Sequence, residues 1–291
     1  MRFGIREICD VVFRAKAKMK VGNKIFYKHE PVIYFDSLKT STLEGAATTV
    51  YAQGGKGNAR LAAWEGERTV TFTMEDALIS TAGLAILTGA GVVDATEAKP
   101  VIQHVTETVT VVGNNITLSN VPHIIEGEHY IYVMKLDDHG NVSSEPFIYQ
   151  ATEGSKVIND LLVPVKDGTE EPQDGETVLV DYYTARVSDA QEITITPDSF
   201  GGNFYVEAST LFRDAGTGVD MPAEFIIPNA KVQSNFTFTM ASSGDPSTFT
   251  FTMDAFPDYT RFNKEEKVYS AIQIITDAIT ADDYRTATAA E

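Results

Sequence analysis

The chain has 291 residues and a mass of 31.8 kDa, with 23 Lys and Arg against 41 Asp and Glu, a formal charge of −18 and a pI near 4.6. At about 100–200 residues per domain this length suits two domains, or one domain with a large insertion. An apolar share of 43% supports a real core and excludes wholesale disorder. A single cysteine, Cys9, excludes an internal disulfide framework and a multi-cysteine zinc site.

No apolar run reaches the length of about 18 residues that a spanning helix needs, so no membrane partner is expected. The opening Met-Arg-Phe-Gly-Ile-Arg-Glu never becomes an apolar signal core, so Sec export is not expected and the protein is predicted to be made in the cytosol. Residues 1–28 hold eight basic side chains against two acidic ones, a net +6, which leaves −24 on the remaining chain. Such an arm binds either nucleic acid or an acidic copy of the same chain. Docking on a copy is favoured, because an acidic body repels a polyanion beyond about one Debye length. In that reading Phe3, Ile5, Ile8, Val11, Val12 and Phe13 anchor the arm, while Arg6, Arg14, Lys16, Lys18 and Lys20 steer it. Cys9, beside Val11-Val12-Phe13, reads as a buried small hydrophobe.

Gly54-Gly-Lys-Gly-Asn58 resembles a phosphate loop only superficially. Such a loop needs a helix directly after its lysine and a Gly-Lys-Ser/Thr ending, whereas Ala59–Trp64 runs into a strand. The segment predicts a hairpin tip, and Gly54, Gly55, Lys56 and Gly57 are candidate contacts to a neighbouring subunit. Thr69–Met74 then alternates with period two, the mark of a half-buried strand. Glu75–Gly89 predicts one helix, with Leu78, Ala82, Ala85 and Ile86 on one stripe and Gly89 and Gly91 closing it. Its start lies either at the acidic pair or at a Ser80 or Thr81 cap.

From residue 98 to 185 the texture changes. Val105–Val112, Asn115–Leu118, Tyr130–Leu136 and Thr177–Tyr183 read as short strands. Turns at Gly113-Asn114, Asp137–Gly140 and Asp167-Gly168 separate them, and acids crowd the segment from Lys166 to Glu176. The spacing predicts a small immunoglobulin-like β-sandwich inserted into a core made of residues 1–97 and 186–291. Strands resume at Glu192–Thr196, Asn203–Leu211 and Ala223–Ile227. Asn235–Met240 and Thr248–Met253 alternate alike and are predicted to form a hairpin with Phe236, Phe238, Phe249 and Phe251 inward. Lys267–Thr276 reads as a strand on its β-branched content, and the Ala-Thr-rich end from Ala281 as a loose tail.

The chemistry-bearing patterns are sparse. His29, His104, His123, His129 and His139 are scattered without metal-ligand spacing, and no Gly-x-Ser-x-Gly elbow occurs. No catalytic, metal or cofactor residue is assigned, and an enzyme is not expected.

The order of elements carries a resemblance. The arm precedes Tyr34-Phe-Asp-Ser-Leu-Lys-Thr-Ser-Thr-Leu-Glu44, the glycine-rich tip, Leu61–Arg68 and Thr69–Met74 running into Glu75-Asp-Ala-Leu-Ile-Ser. Far downstream stand Pro228-Asn-Ala-Lys, Ser234-Asn-Phe and Gly244-Asp-Pro within Phe225–Phe256. These stretches, about residues 31–91 and 200–256, resemble the tail tube and related virion structural proteins of tailed bacteriophages. The resemblance implies an antiparallel β-sandwich or part-barrel with one flanking helix, and copies that form stacked, commonly sixfold rings. It further implies a place in the virion tail, with tail sheath, baseplate or tail terminator proteins as partners. Genomic DNA would pass through an acidic lumen without specific binding. The segment 98–185 is additional to the shortest such proteins and is expected to project outward as a separable domain. The alternative is a capsid decoration or fibre protein whose inserted domain binds a host glycan or a virion partner.

Overall fold

The computed structural model describes residues 2–5, 7–124, 130–158, 162–163, 171–240, 242–244 and 247–276. The chain forms two compact units, one made of Met1–Val93 with Ile193–Glu291, the other of Asp94–Glu192. The first unit opens with β1 (Phe3–Ile5), β2 (Asp10–Ala15), β3 (Met19–Val21), β4 (Lys24–Phe26) and β5 (Pro31–Phe35). A long pair follows, β6 (Leu38–Gly54) and β7 (Ala59–Asp76), then α1 (Thr81–Thr88) and β8 (Gly91–Asp94). The second unit holds β9 (Val101–Thr110), β10 (Ile116–Thr117), β11 (Tyr130–Lys135), β12 (Phe147–Gln150), β13 (Val157–Ile158), β14 (Leu162–Val163) and β15 (Thr177–Arg186). The chain then runs through β16 (Gln191–Thr194), which pairs with β8, to β17 (Asn203–Asp214), β18 (Asp220–Val232), β19 (Phe249–Ala255) and β20 (Ala271–Ile274). The fold is mainly β and antiparallel, a β-sandwich-like architecture with one helix among the described residues, as the sequence predicts.

The first unit is organised by a nine-stranded sheet in the order β5-β2-β17-β18-β19-β7-β6, with β1 added to β17 and β20 to β18. Period-two alternation builds it. In β2 the residues Val11, Phe13 and Ala15 are buried while their neighbours are not, and β19 buries Phe251, Met253 and Ala255 in the same way. The sheet joins distant parts of the chain: Val11 lies opposite Ala208, and Phe251 opposite Met74. The core gathers Phe13, Phe35, Phe72, Met74, Phe204 and Phe251 with Ile86 and Leu87 of α1. Phe35 packs edge-on against both Phe13 and Phe251 at ring separations of 5.2 and 5.0 Å. Cys9 is buried in this core as expected, and burial pushes its thiol pKa up.

The second unit sets the five-stranded sheet β14-β12-β11-β15-β9 with the small pair β10-β13 around one core of its own. Ile131, Val133, Phe147, Tyr149, Val178, Val180 and Tyr182 come from the larger sheet, Ile116 and Ile158 from the smaller. The Tyr182 hydroxyl, at the edge of this core, donates to Glu107 at 2.8 Å. The expected turn at Asp167-Gly168 lies outside the described residues, as do His129 and the tail from Ala281.

Two readings change: the helix predicted over Glu75–Gly89 is shorter, taking the later of its two stated starts, and one hairpin is corrected. The helix starts at Thr81 rather than at the acidic pair, because β7 stays in register with Leu38 and Phe249 as far as Asp76. Ser37 donates to the buried Asp76 carboxylate at 2.5 Å, which completes the strand end. Ser80 caps the helix by accepting from Gly83 N–H at 3.0 Å, and Leu78 is left exposed. Gly89, at φ 70°, ends it where an added Cβ would meet the Phe200 backbone at 2.4 Å.

The second change is the Phe-Thr-Met hairpin. β19 pairs with β7 on one side, and with β18 only over Ala230–Val232 on the other. Gln233 N–H still donates to Thr252 O at 2.8 Å, but Ser234 Oγ turns to accept from Gly201 N–H at 2.9 Å. That turn takes the chain off the sheet edge, so Asn235–Met240 contains no strand. Phe251 is buried and Phe249 half-buried, whereas Phe236 and Phe238 are exposed.

Candidate subunit interface

β6 and β7 pair from Leu38 opposite Asp76 out to Gly54 opposite Ala59. The base of this ribbon belongs to the sheet through Phe72 and Met74. Beyond it, every residue of 59–69 and of 44–51 is exposed, so both faces of the outer ribbon meet solvent. Those faces are not polar throughout. Val50 stands opposite Trp64 and Ala52 opposite Ala62, forming an apolar flank on which Val50 is 61% and Trp64 58% exposed. Arg60 lies over the Tyr51 ring at 4.0 Å. Besides an irregularity at the base between Leu38 and Thr40, two bulges interrupt the outer register, between Ala47 and Thr49 and between Ala52 and Gln53. At the first, Thr48 Oγ1 accepts from Glu67 N–H at 2.9 Å and satisfies a donor the bulge would orphan.

The glycine-rich segment forms the ribbon's tip. Gly54 closes the last pair, while Gly55, Gly57 and Asn58 take φ of 77°, 85° and 49°. Two of these positive-φ positions are glycines, which adopt that conformation without a Cβ clash. Lys56 projects there with no ion-pair partner among the described residues.

The N-terminal residues are spread over several strands and turns of the first unit. Phe3 and Ile5 lie in β1 opposite Asp214 and Phe212; Phe3 stacks on Phe212 at 5.0 Å and Ile5 is 61% exposed. Arg6 lies outside the described residues. Arg14 Nε donates to Glu207 at 2.6 Å and Lys16 pairs with Asp258, so both answer carboxylates of their own chain. The hydrogen bond from Lys16 holds the Asp258 carboxyl below the usual range, while burial and then Glu207 push that of Glu224 up. Lys18 sits 5.7 Å above the Tyr27 ring, and Lys20, opposite Ile25 in β3, is exposed. Of the apolar residues expected to anchor the arm on a neighbour, Val11 and Phe13 are in the core of their own chain. Phe3, Ile5 and Ile8 remain on the surface.

Sequence reasoning named the tip but missed the ribbon behind it and the exposed run Phe236, Phe238 and Met240. Trp64, the chain's single tryptophan, was the available signal, since it lies in a stretch too rich in alanine and glycine to bury a strand face. The model of the YomU/Tube protein family matches residues 4–269, nearly the whole chain. No curated protein matches the sequence.

Proposed function

The chain belongs to the YomU/Tube protein family, and from that premise we propose that it is the tail tube protein of a tailed bacteriophage, a structural protein that polymerises as stacked rings. The observation that carries this reading is the outer β6–β7 ribbon. A two-stranded hairpin is marginally stable by itself in water, and this one also exposes Val50, Leu61 and Trp64. Large apolar side chains left exposed on a projecting ribbon suit a contact to another molecule. A second copy of the chain supplies it in a closed ring or a stack. Within this reading the rings are sixfold, the tube conducts DNA, and sheath, baseplate or terminator proteins meet its surface and ends. The strongly negative charge of the chain supports passage of DNA without adhesion, by like-charge repulsion.

Electron microscopy of the purified protein tests the proposal. Rings and tubes of constant diameter are expected from the native chain. Val50→Thr with Trp64→Ser should leave folded monomers, since both positions are exposed and cost the isolated subunit no more than about 0.5 kcal/mol. A native chain that stays monomeric or trimeric until mixed with capsids would overturn the tube reading in favour of a decoration protein.

A further inference from the structure

Beside strand β2, the first unit holds a cavity of about 290 Å³ whose lining includes Lys16, Lys28, His29, Tyr205, Arg261 and Lys264. His29 is fixed at its back: its φ is 72°, and its backbone N–H donates to Ala15 O at 2.7 Å. The imidazole Nδ1 is buried and has no hydrogen-bond partner among the described residues. Tyr205 is 3% exposed; its hydroxyl accepts from Arg261 N–H at 3.3 Å and donates to no acceptor among the described residues. The cavity's own carboxylate, Asp258, is already held by Lys16, and nearby Glu207 is held by Arg14 at 2.6 Å with Arg261 at 3.9 Å. Lys28 and Lys264 have no carboxylate partner among the described residues, and both are exposed at the rim. Burial first, then Arg261, Lys28, Lys264 and Arg14, push the His29 pKa down, so these cations converge on one imidazole. A buried ring nitrogen without a partner and a buried hydroxyl that donates to nothing, beside unpaired cations, are the complement of an oxyanion when the imidazole carries its proton on Nδ1.

We infer that this cavity is an oxyanion site and that its occupant is a carboxylate of a second copy of the chain. The second copy follows from charge: the chain beyond residue 28 carries a net −24, so another subunit is the densest source of carboxylates available. Assembly holds such a group near the cavity at an effective concentration in the millimolar range. This choice of occupant rests on the assembly reading above, whereas the oxyanion site does not. The carboxylate accepts from His29 Nδ1–H and the Tyr205 hydroxyl, while Lys28 and Lys264 neutralise it.

Acetate serves as the probe. The His29 imidazole resonance of the full chain is followed by NMR while acetate replaces chloride at constant ionic strength. A saturable shift is expected, weakened at least about tenfold in Lys28→Ser/Lys264→Ser, the loss of about one charge-assisted hydrogen bond. An unmoved or non-saturating resonance overturns the site, whether or not the protein assembles. The second arm compares assembly: the double variant should need at least about tenfold more protein to form rings or tubes, and acetate should inhibit the native chain where chloride does not. Acetate binding together with native-like assembly of the variant overturns the second copy as occupant. Salt-sensitive duplex DNA binding through the same two lysines would do so as well. Acetate binding by a chain that never assembles removes the tube reading, and the second copy with it, while the oxyanion site stands.

Discussion

Phe251 and Phe238 occupy equivalent places in two nearly identical Phe-Thr-Phe-Thr-Met stretches, yet only one is a core residue. Phe251 is 1% exposed, opposite Met74 and against Phe35, while Phe238 is 40% exposed against Phe236 and Phe249. Alternation reports which residues share a face of a strand; it does not report whether a partner strand arrives, and here the partner of Phe251 lies far back along the chain. Phe251→Ala should therefore cost about 3–5 kcal/mol in the isolated subunit. Phe238→Ala should cost about 1 kcal/mol or less, as denaturant titration of both variants will show. A larger loss at Phe238 would mean that Asn235–Met240 is held in the sheet after all. Charge at residue scale offers a second test. Burial and Glu207 raise the Glu224 carboxyl, with Arg14 opposing them in part. A carboxyl raised in the folded state penalises folding at neutral pH and is relieved as pH falls through its folded value. Glu224→Gln should thus be more stable than the native chain at pH 7. The gap should close on acidification and vanish below about pH 4, where the carboxyl is protonated in both states. A gap that widens in acid would contradict the direction.

At the scale of elements, local chemistry was legible wherever short-range pairing decides the structure. The glycine-rich segment is a hairpin tip because Gly55 and Gly57 supply positive φ, and Gly89 ends α1 for the same reason. The start of α1 was less legible, since Glu75 and Asp76 suit a helix's first turn as well as they suit the end of β7. Long-range pairing with Leu38 and Phe249 decided it, and left Ser80 as the cap. Ser80→Ala should lower stability by about 1 kcal/mol, and Gly89→Ala by more, because its Cβ meets backbone of Phe200 rather than a movable side chain. Equal costs at the two positions would argue that the backbone near Phe200 yields easily. The basic N-terminal segment is a cluster of charges in the sequence but not one element in the fold. β2 lies between β5 and β17, so Arg14 and Lys16 are held by the sheet and reach Glu207 and Asp258. Removing residues 1–20 would take away a strand along with the charge, which is why substitutions at exposed Lys28 and Lys264 are the cleaner probe of basic contacts.

For the whole molecule, the chain divides into two units with separate cores. Every residue of the larger core cluster comes from the first unit, and every residue of the cluster around Val133, Phe147 and Tyr182 from the second. A unit with its own closed core can fold by itself. The entry and exit strands also meet: β8 pairs with β16, Ala95 N–H donates to Ala190 O at 2.9 Å, and Gln191 Nε2 donates to Asp94 Oδ1 at 2.6 Å. The ends left by removing residues 95–190 are therefore neighbours, and a two-residue Asn-Gly turn suffices to join Asp94 to Gln191. The shortened chain should remain folded and form the same rings or tubes as the full chain, seen by electron microscopy. The excised unit 94–192 should fold as a separate soluble domain. Calorimetry should resolve two transitions in the full chain, with one missing from the shortened chain and recovered in the excised unit. A shortened chain that is insoluble, or a full chain with one indivisible transition, would show that the first unit depends on the second for its stability.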